Sequence, residues 1–398
     1  MKKYPSTDFS SEILRSVIST NAFDAQSEGT REMYYYDLIS IAVHKEALMN
    51  KIISALKIKR RDDWAMEQLF RLCAFFAIDG NNFARKVIYW QFQKKLFEET
   101  PWLGETAIVC MDGYKGVLYL AEYYGKLLEN DPNENISTSF LYCYKKVQRE
   151  KILKKINKYS RNNIYLKRYL TEYKKEEKKV YRNKIKINYD YLKNRIDSGK
   201  PLFIPLYRRK KIAKSLVIKI SRDFVKETEL NDKKKYLSFF WLIKFPFNYK
   251  YILDVVKKVN TDKNRELEFA IDSLKYFRNL EIRDFAIHKL KSSKNAKMYL
   301  DLLVKNYKKG DANIIYNIVK KQNTPDKAHS VVWSITDIYY RNKVKECKKI
   351  MEFLYRHLAC GSHRYDVVKI LKMNNVLSER IRKEIRFDSY SKTRKLAN

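Results

Sequence analysis

The chain reads as an all-α protein, and three observations predict this. Only 9 glycines and 7 prolines occur in 398 residues, too few for the turns of a β-sandwich or barrel and enough for long helices joined by short turns. Hydrophobic residues make up 45% of the chain and aromatic residues 14%, which excludes disorder as its general state. Apolar residues recur at helical spacings in segment after segment.

Taken in order, the start "MKKYPSTDFSSEILRS" has two lysines but no apolar stretch behind them, so no signal peptide is expected. The helical pattern "REMYYYDLISIAVHKEALMNKII" follows, and roughly residues 30–130 are expected to form a first block. "RRDDW" reads as a capped helix start, with Asp62 or Asp63 at the N-terminus and Trp64 in the core. Then "AIDGNNFARKVIYWQFQKK" (77–95) and "CMDGYKGVLYLAEYYGKLL" (110–128) share an apolar residue, an Asp-Gly pair and a helical run. Asp79 and Asp112 stand 33 residues apart. Each unit implies a first helix, a turn at Gly80 or Gly113, and a second helix whose orphan amides the Asp can cap.

Charge divides the chain. The total is +37, and lysine outnumbers arginine 59 to 24, a bias that AT-rich coding produces by itself. Such a bias acts everywhere, yet residues 1–144 carry 17 basic against 19 acidic residues, 145–222 carry 27 against 6, and 223–398 carry 39 against 21. We therefore divide the chain into a near-neutral helical region 1–144, a strongly basic segment 145–222 and a basic helical region 223–398. An anionic partner for the last two is expected. In the basic segment, Ile152, Ile156 and Tyr159, then Leu166, Tyr169, Leu170 and Tyr173, predict at least two amphipathic helices with lysines outside. Pro201 and Pro205 break the pattern, and "YRRKKIAKS" (207–215) begins another helix. Two readings compete here. One is a solvated lysine face with tyrosines at the core edge. The other is a footprint for a phosphate backbone, with Tyr and Arg able to stack on bases.

The last region repeats a joint. "LEFAIDSLKYF" (267–277) places Leu267, Ala270, Ile271, Leu274 and Phe277 on one face. "RNLE" turns the chain, and Ile282, Phe285, Ala286 and Leu290 face inward on the next helix. "AKMYLDLLVKNY" (296–307), the turn "KKGD" and "ANIIYNIVKK" (312–321) repeat this, with Glu281 and Asp311 at matching positions. Stacked pairs of this kind complete a core that one helix cannot. The tail 365–397 predicts helix, turn at Asn374-Asn375, helix, turn at Asp388 and a last short helix.

With these residues in view, segment 266–321 resembles the HEAT-like repeat family through Glu281, Ile282, Arg283, Ala286 and Leu290, in its short-repeat variety. That resemblance implies a right-handed α-solenoid of stacked helical hairpins with a long concave binding surface.

Sequence signals for catalysis are sparse. There is no glycine-rich phosphate loop, no Gly-x-Ser-x-Gly elbow and no His-Glu-x-x-His zinc helix. "RHLACGSH" spaces His357, Cys360 and His363 at i, i+3 and i+6, which on one helix points the last away from the first. Gly361 can end the helix and re-aim His363, but no metal and no cofactor are expected. The resemblance raises one enzymatic alternative, since some HEAT-like-repeat proteins are alkylpurine DNA glycosylases, with an Asp and aromatic residues in a basic groove. No motif places a catalytic Asp here. The five scattered cysteines read as reduced thiols and the setting as cytoplasmic. No apolar run is long enough to span a membrane.

The expectation is non-enzymatic binding of DNA or RNA, mainly through phosphates. Arg208, Arg209, Lys210, Lys211 and Lys214 form the leading cluster, and Lys174, Lys175, Lys178, Lys179 and Arg182 a second patch. The alternative is a protein–protein scaffold whose charge serves solubility.

Overall fold

The computed structural model describes residues 7–58, 62–94, 100, 102–132, 134–182, 187–199, 202–258 and 265–397, excepting the side chains at 178–182 and 265–266. Among these the chain is all-helical, with no strand, and no helix is long and apolar enough to cross a membrane. It forms two compact units, Met1–Lys184 and Ile185–Asn398. The boundary falls inside the basic segment.

Unit 1 contains α1 (Ser10–Val17), α2 (Ala25–Glu28), α3 (Glu32–Ser40), α4 (Lys45–Leu56), α5 (Asp63–Ile78), α6 (Asn82–Gln93), α7 (Glu105–Asp112), α8 (Tyr114–Asn130), α9 (Lys146–Tyr159) and α10 (Ile164–Arg182). Asp62 caps α5 as the sequence implies, accepting from the amides of Trp64 and Ala65 at 3.0 and 3.2 Å, but Trp64 is half-buried and lies outside the core. α5 is apolar on most of its surface, and α3, α4, α6 and α7 pack around it. Its one deeply buried acid, Glu67, is held by Arg71 at 2.7 Å and by the Gly104 amide at 3.0 Å. α8 approaches α10 at Gly125, where an added Cβ would lie 2.0 Å from the Tyr165 carbonyl oxygen. The apolar positions read from α9 and α10 are buried, except Tyr159, which is exposed.

Unit 2 contains α11 (Tyr189–Asp197), α12 (Leu206–Arg209), α13 (Lys214–Lys226), α14 (Leu230–Phe240), α15 (Lys250–Lys258), α16 (Arg265–Leu274), α17 (Leu280–Ser292), α18 (Asp311–Val319), α19 (Pro325–Arg341), α20 (Lys348–His357), α21 (Gly361–Met373), α22 (Glu379–Ile385) and α23 (Ser391–Arg394). The joint at 278–281 exists, and Asn279 caps α17 through the Glu281 amide at 2.8 Å. Leu267, Ala270, Ile271, Leu274, Ile282, Ala286 and Leu290 are all core residues. The tail follows its predicted order, with Asn375 at φ 56 in the turn before α22.

Three local expectations differ. Residues 296–303 form a 3-10 helix rather than an α-helix. At three residues per turn, Tyr299 aligns with Leu302 and Leu300 with Leu303, and all four are buried. Second, the helix expected from 207 stops at Arg209 and restarts at Lys214, as Ile212 turns down onto the core between them. Third, neither Asp79 nor Asp112 caps the helix that follows it. Asn81 caps α6 through the Ala84 amide at 2.9 Å, and α8 starts at Gly113 with no side-chain cap. Both aspartates lie at the end of the first helix of their pair, where groups from an earlier helix compete for them: the Tyr36 hydroxyl donates to Asp79, and Arg85 and Tyr89 donate to Asp112.

The same device recurs in unit 2. Glu281 accepts from Tyr249 at 3.0 Å and Lys257 at 2.8 Å. Buried Asp311 accepts from Arg283 at 2.6 Å, and Glu346 from the Tyr307 hydroxyl at 2.7 Å. At each of these five joints an acid grips a donor from a preceding element.

Candidate nucleic-acid interface

The leading cluster sits on a strap formed by 202–214 in unit 2. Leu202 and Ile204 are buried, so the extended backbone between them turns Phe203 outward, where it is 75% exposed. Pro205 then starts the single turn of α12, its carbonyl accepting from the Arg208 and Arg209 amides at 2.8 and 3.1 Å. Leu206 and Tyr207 are also exposed. The strap thus presents two aromatic rings and a leucine beside Arg208, Lys210, Lys211 and Lys214. Those three lysines are exposed, and among the described residues no acid pairs with them.

Arg209 has a different task. Its Nε donates to the Ile204 carbonyl at 2.6 Å, and its guanidinium lies 5.5 Å from the Trp241 ring centre, which in turn stacks on Phe269. It fastens the strap to α14. Arg208 lies over Tyr207 at 5.9 Å and stays at the surface.

The second patch belongs to unit 1. Lys174 is exposed, while Lys175 is held by Glu172 at 2.8 Å. The side chains of Lys178, Lys179 and Arg182 lie outside the described residues. The more open basic surface of this unit is α9, where Lys146, Lys151, Lys154, Lys155 and Lys158 are exposed above buried Ile152 and Ile156. The sequence places these lysines on the outer face of the helix without singling them out as a patch, although Glu150 is the only acid in that helix.

A further basic site surrounds the 3-10 turn of unit 2. Lys291, Lys294, Lys297 and Lys321, with Asn295 and Asn317, line a concavity of about 490 Å³. Among the described residues no acid lines it. Its four lysines come from α17, the turn after it, the 3-10 helix and the turn that ends α18, so only the folded joint assembles them. Periodicity alone therefore misses it.

Asp62, Asp63 and Trp64 each make a structural contact. Asp62 caps α5, Asp63 accepts the Thr100 hydroxyl at 2.7 Å, and Trp64 packs on Trp102 with ring centres 5.5 Å apart.

Compared with known proteins, the chain matches no family model, no curated protein and no solved structure.

Proposed function

We propose that this protein binds nucleic acid without catalysing a reaction, mainly through the phosphate backbone, on short HEAT-like helical hairpins stacked as a right-handed α-solenoid in the cytoplasm. The observation that carries the reading is the strap 202–214, where unpaired lysines stand beside exposed aromatic rings. Lysines neutralise phosphates and release counterions. Phe203 and Tyr207 offer faces on which unstacked bases can lie, each worth about 1–3 kcal/mol. The lysine-lined concavity and the outer face of α9 add further phosphate contacts.

The test is fluorescence-anisotropy binding of the full chain to a duplex DNA and a single-stranded RNA across a salt series. Affinity is expected to fall steeply with salt. Lys210, Lys211 and Lys214→Ala together should reduce the logarithmic salt slope by about 3. Binding too weak to measure at low salt would defeat the proposal.

The exposed Phe203, Leu206 and Tyr207 also favour a second reading, a protein–protein scaffold. It predicts that Phe203→Ala abolishes capture of a protein partner while the lysine substitutions do not. A base-excision assay on alkylated DNA tests the glycosylase alternative, and no base release is expected.

A further inference from the structure

The break that sequence reading allowed at Gly361 is real, and it changes which side chains meet. α20 ends at His357 and α21 begins at Gly361. His357 stays on α20, its Nδ1 2.8 Å from the Phe353 carbonyl oxygen and its ring stacked on Phe353. Cys360 becomes the N-cap residue of α21, and His363 its third helical position. Those two positions face each other at any helix start, as the reciprocal bonds of a capping box show. Here they bring the Cys360 thiol within 3.1 Å of His363 Nδ1.

A third group arrives from α19. The His329 ring meets the His363 ring edge-on, with centres 4.5 Å apart and planes at 87°. Trp333, one turn further along α19, closes another side at 4.7 Å from the His363 ring. One ligand atom from each of His329, Cys360 and His363 lies within 4.8 Å of the other two, with Cys360 and His363 buried. Tetrahedral zinc, with bonds of about 2.0–2.3 Å, holds its ligand atoms about 3.4–3.6 Å apart. Side-chain shifts on the order of 1 Å would close the set.

We propose that His329, Cys360 and His363 bind one zinc-class divalent metal ion, with water in the fourth position. One thiolate and two imidazoles are a donor set that zinc prefers, whereas magnesium and calcium take oxygen ligands. On binding, the Cys360 S–H bond gives way to an S–metal bond and the proton passes to solvent. The ion joins the second turn of α19 to the first turn of α21, and so clamps two elements that pack against each other. This proposal does not depend on nucleic-acid binding.

The test uses the full-length chain, stripped with a chelator and titrated first with Co²⁺ and then with Zn²⁺. The expected result is one Co²⁺ per chain with a thiolate-to-cobalt charge-transfer band, bleached by one equivalent of Zn²⁺. Cys360→Ser should remove the band while circular dichroism shows the helices intact. His329→Ala should weaken binding at least about tenfold. His357→Ala should change nothing. A folded wild-type chain without the band, or a band that survives Cys360→Ser, overturns the proposal.

Discussion

At the scale of single residues, the acids decide more than the abundant lysines do. Glu105 is buried in unit 1 and accepts from the hydroxyls of Tyr124, Ser137 and Ser139. Burial raises its carboxyl above the usual 4.5, and the three hydroxyls only partly oppose that. The folded chain therefore holds this proton more tightly than the unfolded chain does. Its contribution to stability is fullest below 4.5 and is lost as pH rises through the raised value. Glu105→Gln fixes the neutral form, so its melting temperature relative to wild type should improve from pH 4.5 towards neutrality; an unchanged difference would refute this. None of that is legible in "WLGETAIVCM", where Glu105 looks like an ordinary first-turn acid. The opposite holds for Asp62, whose place before the apolar run of α5 identifies it as a cap. Local chemistry is readable from neighbours in sequence. A carboxylate gripped from a distant helix is not, which is why Asp79 and Asp112 read as caps.

At the scale of elements, periodicity located the helices well because each buries a stripe. The positions read on α16 and α10 are core positions, as are those on α17 except Phe285, which is half-buried against the core. It failed at 296–303, since the run Tyr299, Leu300, Leu302, Leu303 suits a period of three nearly as well as 3.6. It also gave no reason for the glycine inside "LAEYYGKLL". That reason is the approach of α8 to α10, where a methyl group would overlap the Tyr165 carbonyl. Because the obstacle is backbone, relief requires moving a helix. Gly125→Ala should destabilise unit 1 by about 1–3 kcal/mol or more, measured by chemical denaturation. A loss no larger than a few tenths would show that α8 can shift freely. The interface shows a similar limit of sequence reading. A cluster such as "RRKK" announces itself, but which cation is spent on the fold, as Arg209 is, depends on Trp241, more than thirty residues away.

At the scale of the whole molecule, two cores exist side by side in sequence, one drawing on Ile13 to Tyr173 and the other on Leu192 to Ala397. The charge division read at 144 and 222 is a different partition from this one, since charge follows surface and domains follow burial. Two separate cores predict two transitions in calorimetry. Gly125→Ala should lower one and leave the other in place; a single transition that moves as a whole would count against independent units. The joint acids carry one more consequence. Asp112 requires the donors of α6, Asp311 requires Arg283, and Glu346 requires Tyr307. The α5–α6 hairpin and the hairpin begun by α17 are thus both lock and key, holding an acid for one neighbour and offering a donor to another. Lengthening or shortening such a chain succeeds only in whole hairpins that preserve both ends of that match, so its evolution is constrained to proceed in modular steps.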